Sequence, residues 1–132
     1  MKKQSVLFVC LGNICRSPAA EAIFLDLINK KGLNDSFIVD SAGTGSWHIG
    51  KKADTRMRIA SRKRGVEIFS RARQINFNDF EKFNYIVAMD DSNYENIIDM
   101  KSRKSLSDFA SIKKIQNFRS IFQEIEVPDP YF

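Results

Sequence analysis

The chain has 132 residues, of which 43% are hydrophobic, and a formal net charge of +5. This length predicts one domain with a single core, and no apolar run is long enough to span a bilayer. The charge favours anionic partners. However, the basic run over residues 56–73 has few aromatic or amide side chains that could read bases. We therefore expect a solvated helix face followed by a loop there, and neither a nucleic-acid nor a membrane partner.

The amino-terminal segment MKKQSVLFVC combines two lysines with a short apolar run, as a secretion signal would. The run breaks at Gly12 and Asn13 and has no small-residue cleavage site, so we predict a buried strand and a cytoplasmic protein. In the cytoplasm, two cysteines are more typical of catalytic or redox-active thiols than of a structural disulfide.

Strands and helices are predicted to alternate along the chain. The expected strands cover residues 5–10, 36–40, 84–89 and 113–118, and the expected helical segments cover residues 18–31, 54–64, 78–83 and 90–100. This alternation predicts an α/β fold, a four-stranded parallel sheet with helices on both faces. Such sheets bind ligands beyond the carboxyl ends of their strands, and Cys10 occupies one of these ends.

The segment that joins the first strand to the first helix has the features of a phosphate-binding loop. Pro18 suits the first helical position and Ser17 the N-cap. Gly12 permits a close backbone approach and Asn13 tolerates an unusual φ, so the N–H groups of the turn can curl around an anion. Arg16 adds a planar fork for two oxygens of a tetrahedral oxyanion, and the helix N terminus adds positive potential.

Cys10 lies at the start of this loop. A thiol that faces N–H dipoles, a helix N terminus and a guanidinium is expected to ionise readily. Its sulfur would then attack phosphorus in line to form a cysteinyl-phosphate, while the loop and Arg16 stabilise the equatorial oxygens. A bare C-x5-R spacing is more often a buried cysteine and a surface arginine. The strand before it, the Gly-Asn within it and the Ser-Pro after it favour the catalytic interpretation.

Four segments resemble the low-molecular-weight protein tyrosine phosphatase family, in the family's order: VLFVCLGNICRSPAAEA, DSAGTGSWHIGKKADTRM, YIVAMDDSN and VPDPYF. The resemblance implies one phosphatase domain over residues 1–132, which hydrolyses phosphotyrosine in proteins and small aryl phosphates without a cofactor. It implies Cys10 as the nucleophile, Arg16 as the phosphate clamp and Asp129 as the general acid. The implied partners are phosphotyrosine proteins, and phosphate or other oxyanions in the loop. We expect a monomer or weak dimer.

The resemblance also implies supporting roles around the phosphate. Asn13 would order the loop, the Ser17 hydroxyl would help to hold the thiolate, and Trp47 and Tyr131 would form an aromatic rim. An exposed tryptophan could equally pack on its own loop. The remaining residues expected to bind phosphate are Leu11, Gly12, Ile14 and Cys15.

Two of these loop residues bear on specificity and regulation. Family members that dephosphorylate arginine tend to carry Thr at the position of Ile14, whereas those acting on tyrosine carry an aliphatic residue. Ile14 therefore favours phosphotyrosine over phosphoarginine. Cys15 either forms a reversible disulfide with Cys10, as the family implies, or is a small residue that lines the loop.

The terminal VPDPYF places Asp129 between two prolines, which would hold its carboxyl group in place. From there it could protonate the departing phenol and then activate the water that hydrolyses the intermediate. No other acid is evident, since the lone His48 lies in a glycine-rich loop. Two cysteines and one histidine are too few for a zinc site.

The sequence departs from the family in two places. Ser70 stands where the family has a histidine, which implies rearranged support for the phosphate loop. The chain ends at Phe132, where the family continues into a closing helix, so a weakly active or inactive phosphotyrosine-binding module is an alternative. A thioredoxin-linked arsenate reductase is a weaker alternative, because no cysteine follows Cys15.

Overall fold

The computed structural model describes residues 3–104 and 109–117. These residues form four strands and four α-helices. In chain order they are β1 (Gln4–Cys10), α1 (Arg16–Lys30), β2 (Phe37–Gly43), α2 (Thr55–Lys63), α3 (Asp79–Lys82), β3 (Tyr85–Ala88), α4 (Asp91–Arg103) and β4 (Ser111–Lys114). Short 3₁₀ turns cover Asn34–Ser36 and Ile115–Asn117.

The four strands form one parallel sheet in the order β2-β1-β3-β4. β1 is an inner strand, and six of its seven residues are buried. An unbroken apolar strand is what a parallel sheet covered on both faces requires. The pairing sets Cys10 beside Gly43 at the carboxyl ends of β1 and β2. The predicted fold class is confirmed.

The core has one layer on each face of the sheet, because alternate residues of a strand point to opposite faces. On one face, Phe8 and Phe37 each meet the ring of Phe24 from α1, edge to face, at centroid distances of 5.9 and 5.5 Å. On the other face, Leu7 and Val9 pack with residues of α3 and α4. Both layers pack against β1 and hold it rigidly. They therefore also fix the position of Cys10, the residue at which β1 ends.

The fourth strand differs from its prediction. Residues 113–118 were the expected span, but β4 runs from Ser111 to Lys114, and the next three residues form a 3₁₀ turn. β3 has only four residues, which pair one to one with those of β4. A strand at the edge can extend only as far as its neighbour offers backbone partners, so the apolar pattern beyond Lys114 is not used for pairing.

In the described ranges, no helix is long and apolar enough to cross a membrane.

Candidate active site

The loop between β1 and α1 brings the predicted nucleophile and the predicted phosphate clamp to one end of the sheet. The helix begins at Arg16, so the prediction of Ser17 as N-cap and Pro18 as first helical residue is wrong. Ser17 lies inside the first turn, fully buried, and its hydroxyl meets Cys10 rather than a backbone N–H. Pro18 is tolerated there because N–H groups of the first turn have no acceptor within the helix.

Cys10 is buried, with 3% of its surface exposed, and two polar groups meet its sulfur. Ser17 Oγ lies 2.9 Å from Cys10 Sγ, and the backbone N–H of Asn13 donates to the same sulfur at 3.2 Å. The N–H of Asn13 is a donor to the sulfur, whereas in the contact with Ser17 either the hydroxyl or the thiol can be the donor.

Asn13 ties the loop to two other segments of the chain. It adopts a φ of 58°, the unusual backbone conformation that asparagine tolerates. Its side-chain amide donates to Ser17 Oγ at 2.8 Å and to Ser41 Oγ at 3.0 Å. Its side-chain oxygen accepts from the backbone N–H of Arg73 at 2.9 Å. One buried side chain thus holds the loop, β2 and the segment before α3 together.

Three carbonyl groups of the loop region face outward to neighbouring segments. The carbonyls of Cys10, Leu11 and Ile14 accept from the N–H groups of Thr44, Gly45 and Asp54 at 2.9, 2.8 and 2.6 Å, respectively. A trans peptide directs its C=O and its N–H to opposite sides. The N–H groups of Leu11, Gly12 and Cys15 therefore point away from those segments, as donors to an oxyanion held within the loop must.

Arg16 is half-exposed and forms an ion pair with Asp90, at 2.7 Å between Nη2 and Oδ2. Asp90 is itself fixed, because its other oxygen caps α4 by accepting from the N–H of Asn93 at 2.7 Å. The Asn93 hydrogen bond and the Arg16 guanidinium lower the pKa of Asp90. A guanidinium has five N–H donors, so this pairing leaves several for a phosphate.

Sequence reasoning missed Asp90 as the partner of Arg16. The available signal was its position, since it follows a buried strand and precedes a helix in YIVAMDDSN.

Sequence reasoning also missed Glu21, which supports the phosphate loop indirectly, through Ser41 and Asn13. Ser41 Oγ, which accepts from Asn13, donates in turn to Glu21 Oε1. Ser70, which stands where the family has a histidine, also hydrogen-bonds to Glu21. Burial, and to a lesser extent the charge of Asp40, raises the pKa of Glu21. At the position where the family has a histidine, this chain thus has a hydroxyl that meets a carboxyl group.

Arg73 differs from the solvated basic residue that was expected. Its guanidinium lies 3.1 Å from Asp40 Oδ2 and makes two bonds, at 3.0 and 3.1 Å, to the buried carboxylate of Asp79. Its backbone N–H is the group that holds Asn13. The end of the basic run therefore anchors the loop, whereas the helix α2 has a single buried residue, Ser61.

The structure describes Trp47, one of the two residues predicted to form an aromatic rim. Trp47 exposes 68% of its surface, and its ring lies so close over Gly45 that a Cβ there would be 1.8 Å from Trp47 Cζ3. The tryptophan therefore both packs on its own loop and faces solvent. Leu11 is 51% exposed beside it. Asp129 and Tyr131 lie outside the described residues.

Cys15 is a half-buried free thiol, as Cys10 is a buried one. Burial, followed by the negative charge of Asp54, raises the pKa of Cys15. Within the described part of the chain, no group of three or more histidine, cysteine or acidic residues is placed to hold a metal ion.

The chain is similar to known proteins over almost its whole length. Residues 5–132 match the model of the low molecular weight phosphotyrosine protein phosphatase family. The low molecular weight protein-tyrosine-phosphatase YfkJ of Bacillus subtilis is 44% identical over 97% of this chain and 81% of its own length. Its crystal structure superposes with a TM-score of 0.79, at 42% identity, covering 100% of this chain and 82% of that one.

A second solved structure, that of the Drosophila arginine phosphatase DARP, has a TM-score of 0.82 at 38% identity. It covers 100% of this chain and 82% of its own. The family match spans both ends of the described fold and includes the loop that holds Cys10 and Arg16. The predicted enzyme class is confirmed at this level: the chain belongs to the low molecular weight phosphotyrosine protein phosphatase family.

Proposed function

We propose that this protein hydrolyses phosphotyrosine in proteins, and small aryl phosphates, through a cysteinyl-phosphate intermediate. The observation that carries the proposal is the environment of Cys10. Its sulfur lies at the carboxyl end of β1 and meets Ser17 Oγ and the N–H of Asn13. The loop that follows turns N–H donors inward and ends at Arg16. Together these groups are suited to a tetrahedral dianion above a nucleophilic sulfur.

In the first step the Cys10 thiolate attacks phosphorus, and the bond from phosphorus to the phenolic oxygen breaks. The S–P bond forms as the phenolate leaves, and Asp129 gives it a proton. In the second step water attacks phosphorus and loses a proton to Asp129. The S–P bond breaks, inorganic phosphate leaves and the thiolate is restored. Two features of the sequence support Asp129 in this role: the family resemblance and the two prolines that flank it.

Activity on p-nitrophenyl phosphate tests the nucleophile. Cys10→Ser should lower kcat by about 10³-fold or more, since an alcohol at this position is a far weaker nucleophile than a thiolate. Arg16→Lys keeps the charge but loses the fork, and should cost about 10²-fold. The thermal midpoints of both variants must stay near that of the parent protein. Undiminished turnover by the Cys10→Ser protein would refute the mechanism.

Asp129→Asn tests the proposed acid. General acid catalysis contributes about 10²–10⁴-fold, and it matters more for a poor leaving group. The variant should therefore lose more activity on a phosphotyrosine peptide than on p-nitrophenyl phosphate. Equal losses on both substrates would remove Asp129 from the mechanism. Peptide binding without turnover by the parent protein would instead support the phosphotyrosine-binding module.

Phosphoarginine is a second candidate substrate, because the structure of the Drosophila arginine phosphatase superposes on this chain. The identity of residue 14 favours phosphotyrosine. We expect the parent protein to prefer a phosphotyrosine peptide over the matched phosphoarginine peptide, and Ile14→Thr to shift the ratio of kcat/KM toward phosphoarginine. A parent protein that prefers phosphoarginine would reverse the assignment.

A further inference from the structure

A groove of about 440 Å³ opens beside the phosphate loop and leads away from Cys10. Leu11, which belongs to the loop, forms one end of it. The segment with Thr44 and Trp47 lines one part of the groove, and α4 lines another. Leu11 belongs both to the phosphate loop and to the groove. A molecule whose phosphate occupies the loop could therefore continue along the protein surface into the groove.

The groove combines an apolar surface with positive charge. Phe77 is 40% exposed there, next to Met100. Two basic residues, Arg103 and Lys104, line it at the carboxyl end of α4. Arg103 Nη2 forms an exposed ion pair with Asp99 Oδ2 at 2.8 Å, which leaves other N–H donors of its guanidinium for a ligand. Lys104 Nζ lies 5.2 Å from the centre of the Phe77 ring. A peptide that offers both apolar and acidic side chains would complement this surface.

A polar group in the groove wall also lacks a partner. Thr44 Oγ1 is buried, and it makes no hydrogen bond to any other residue in the described ranges. The carbonyl of Thr44 is already taken, since it accepts from the side-chain amide of Gln74 at 3.2 Å. Buried hydroxyl groups are normally hydrogen-bonded, and Thr44 Oγ1 is an exception that lies directly behind the wall of the groove.

We propose that this groove binds the polypeptide that flanks the phosphorylated residue of a substrate, and that it selects an acidic side chain at Arg103 and Lys104 with an apolar one at Phe77. The inference rests on the proposed phosphatase function and adds a substrate class to it. The helix α4, from Asp91 to Arg103, is about 20 Å long at 1.5 Å per residue. An extended peptide covers that length in about six residues, so the acidic side chain is expected within six positions of the phosphorylated residue.

Charge reversal at the groove tests the proposal. The double variant Arg103→Glu, Lys104→Glu should raise KM for a phosphotyrosine peptide that carries a glutamate cluster by about three- to tenfold, with kcat little changed. KM for p-nitrophenyl phosphate, which is too short to reach Arg103 and Lys104 from the phosphate loop, should stay the same. Added salt should shrink the difference, because the charges are exposed.

The chain offers a matched control at the carboxyl end of α2. Lys63→Glu, Arg64→Glu makes the same change of charge in the same kind of position, on a helix that packs with α1 and not in the groove. This variant should leave both KM values at the parent level. An equal effect of the two double variants on the peptide would mean that net charge alone is responsible, and it would overturn the proposal.

Phe77→Ala tests the apolar part of the groove and should raise KM for peptides with a leucine or phenylalanine near the phosphotyrosine, but not for an all-glycine flank. No change in either case would overturn the proposal. A peptide KM that varies with enzyme concentration would do so too, because it would assign the groove to a second copy of the chain. If p-nitrophenyl phosphate is not hydrolysed at all, the proposed function fails. In that case the groove can still be tested by the binding of a fluorescently labelled phosphotyrosine peptide with a glutamate cluster to the Cys10→Ser protein, with and without the Arg103→Glu, Lys104→Glu change.

Discussion

Replacement of Asn13 by alanine tests whether one amide side chain holds the phosphate loop in shape. The side chain is 2% exposed and makes hydrogen bonds to Ser17, Ser41 and Arg73. It also supports a backbone φ of 58°, which alanine adopts only under strain. The substitution therefore removes three contacts and adds a conformational cost at the same position.

The expected decrease in the free energy of unfolding is the sum of these two contributions. Each buried hydrogen bond contributes about 1 kcal/mol net to the free energy of unfolding. The left-handed backbone costs alanine about 1 kcal/mol more than asparagine. The sum is about 4 kcal/mol, a large share of the roughly 5–15 kcal/mol by which domains are stable. Asn13→Gly loses the same hydrogen bonds without the backbone strain, so it should be about 1 kcal/mol more stable than Asn13→Ala.

Urea unfolding followed by far-ultraviolet circular dichroism measures these differences. Trp47 fluorescence is a poorer probe, because that side chain is 68% exposed in the folded protein. Asn29→Ala, at an exposed position near the end of α1, is the matched control and should change the unfolding free energy by less than about 0.5 kcal/mol. A loss below about 1 kcal/mol for Asn13→Ala, or an alanine variant as stable as the glycine variant, would refute the reasoning.

Two further predictions concern groups near the loop. Burial raises the pKa of Glu21, so the folded protein keeps a proton that the unfolded chain releases, and stability falls as pH rises from the unfolded pKa through the folded one. Glu21→Gln removes this penalty. The urea midpoint of the variant should therefore exceed that of the parent protein by more at pH 7 than at pH 4. An equal difference at both pH values would contradict the assignment. Gly45→Ala places a Cβ 1.8 Å from Trp47 Cζ3 and must displace the indole, which is the chain's single tryptophan. Its emission and iodide quenching should change, whereas Ser46→Ala in the same loop should leave both unaltered.

Much of the site follows from the sequence because its signals are local. The apolar run of β1, the Gly-Asn of the loop and the helix-forming residues after Pro18 are contiguous, and together they predict a strand that ends on a cysteine below an anion-binding turn. The placement of Cys10 at a strand end and of Arg16 at a helix start agrees with this pattern. The exact start of α1 did not follow, because the Ser17 hydroxyl is drawn to Cys10 and does not cap the helix.

The sequence by itself determined the class of the fold, and it placed a cysteine at the end of β1 and an arginine at the start of α1, because strand and helix periodicities act over a few residues. The tertiary structure alone decided what holds the loop in place. Asn13 meets Ser41 and Arg73 across 28 and 60 residues of chain, and Arg16 meets Asp90 across a longer separation still. Such contacts form only when the parallel sheet brings the ends of β1, β2 and β3 to one edge. No local pattern encodes which buried polar groups then find each other.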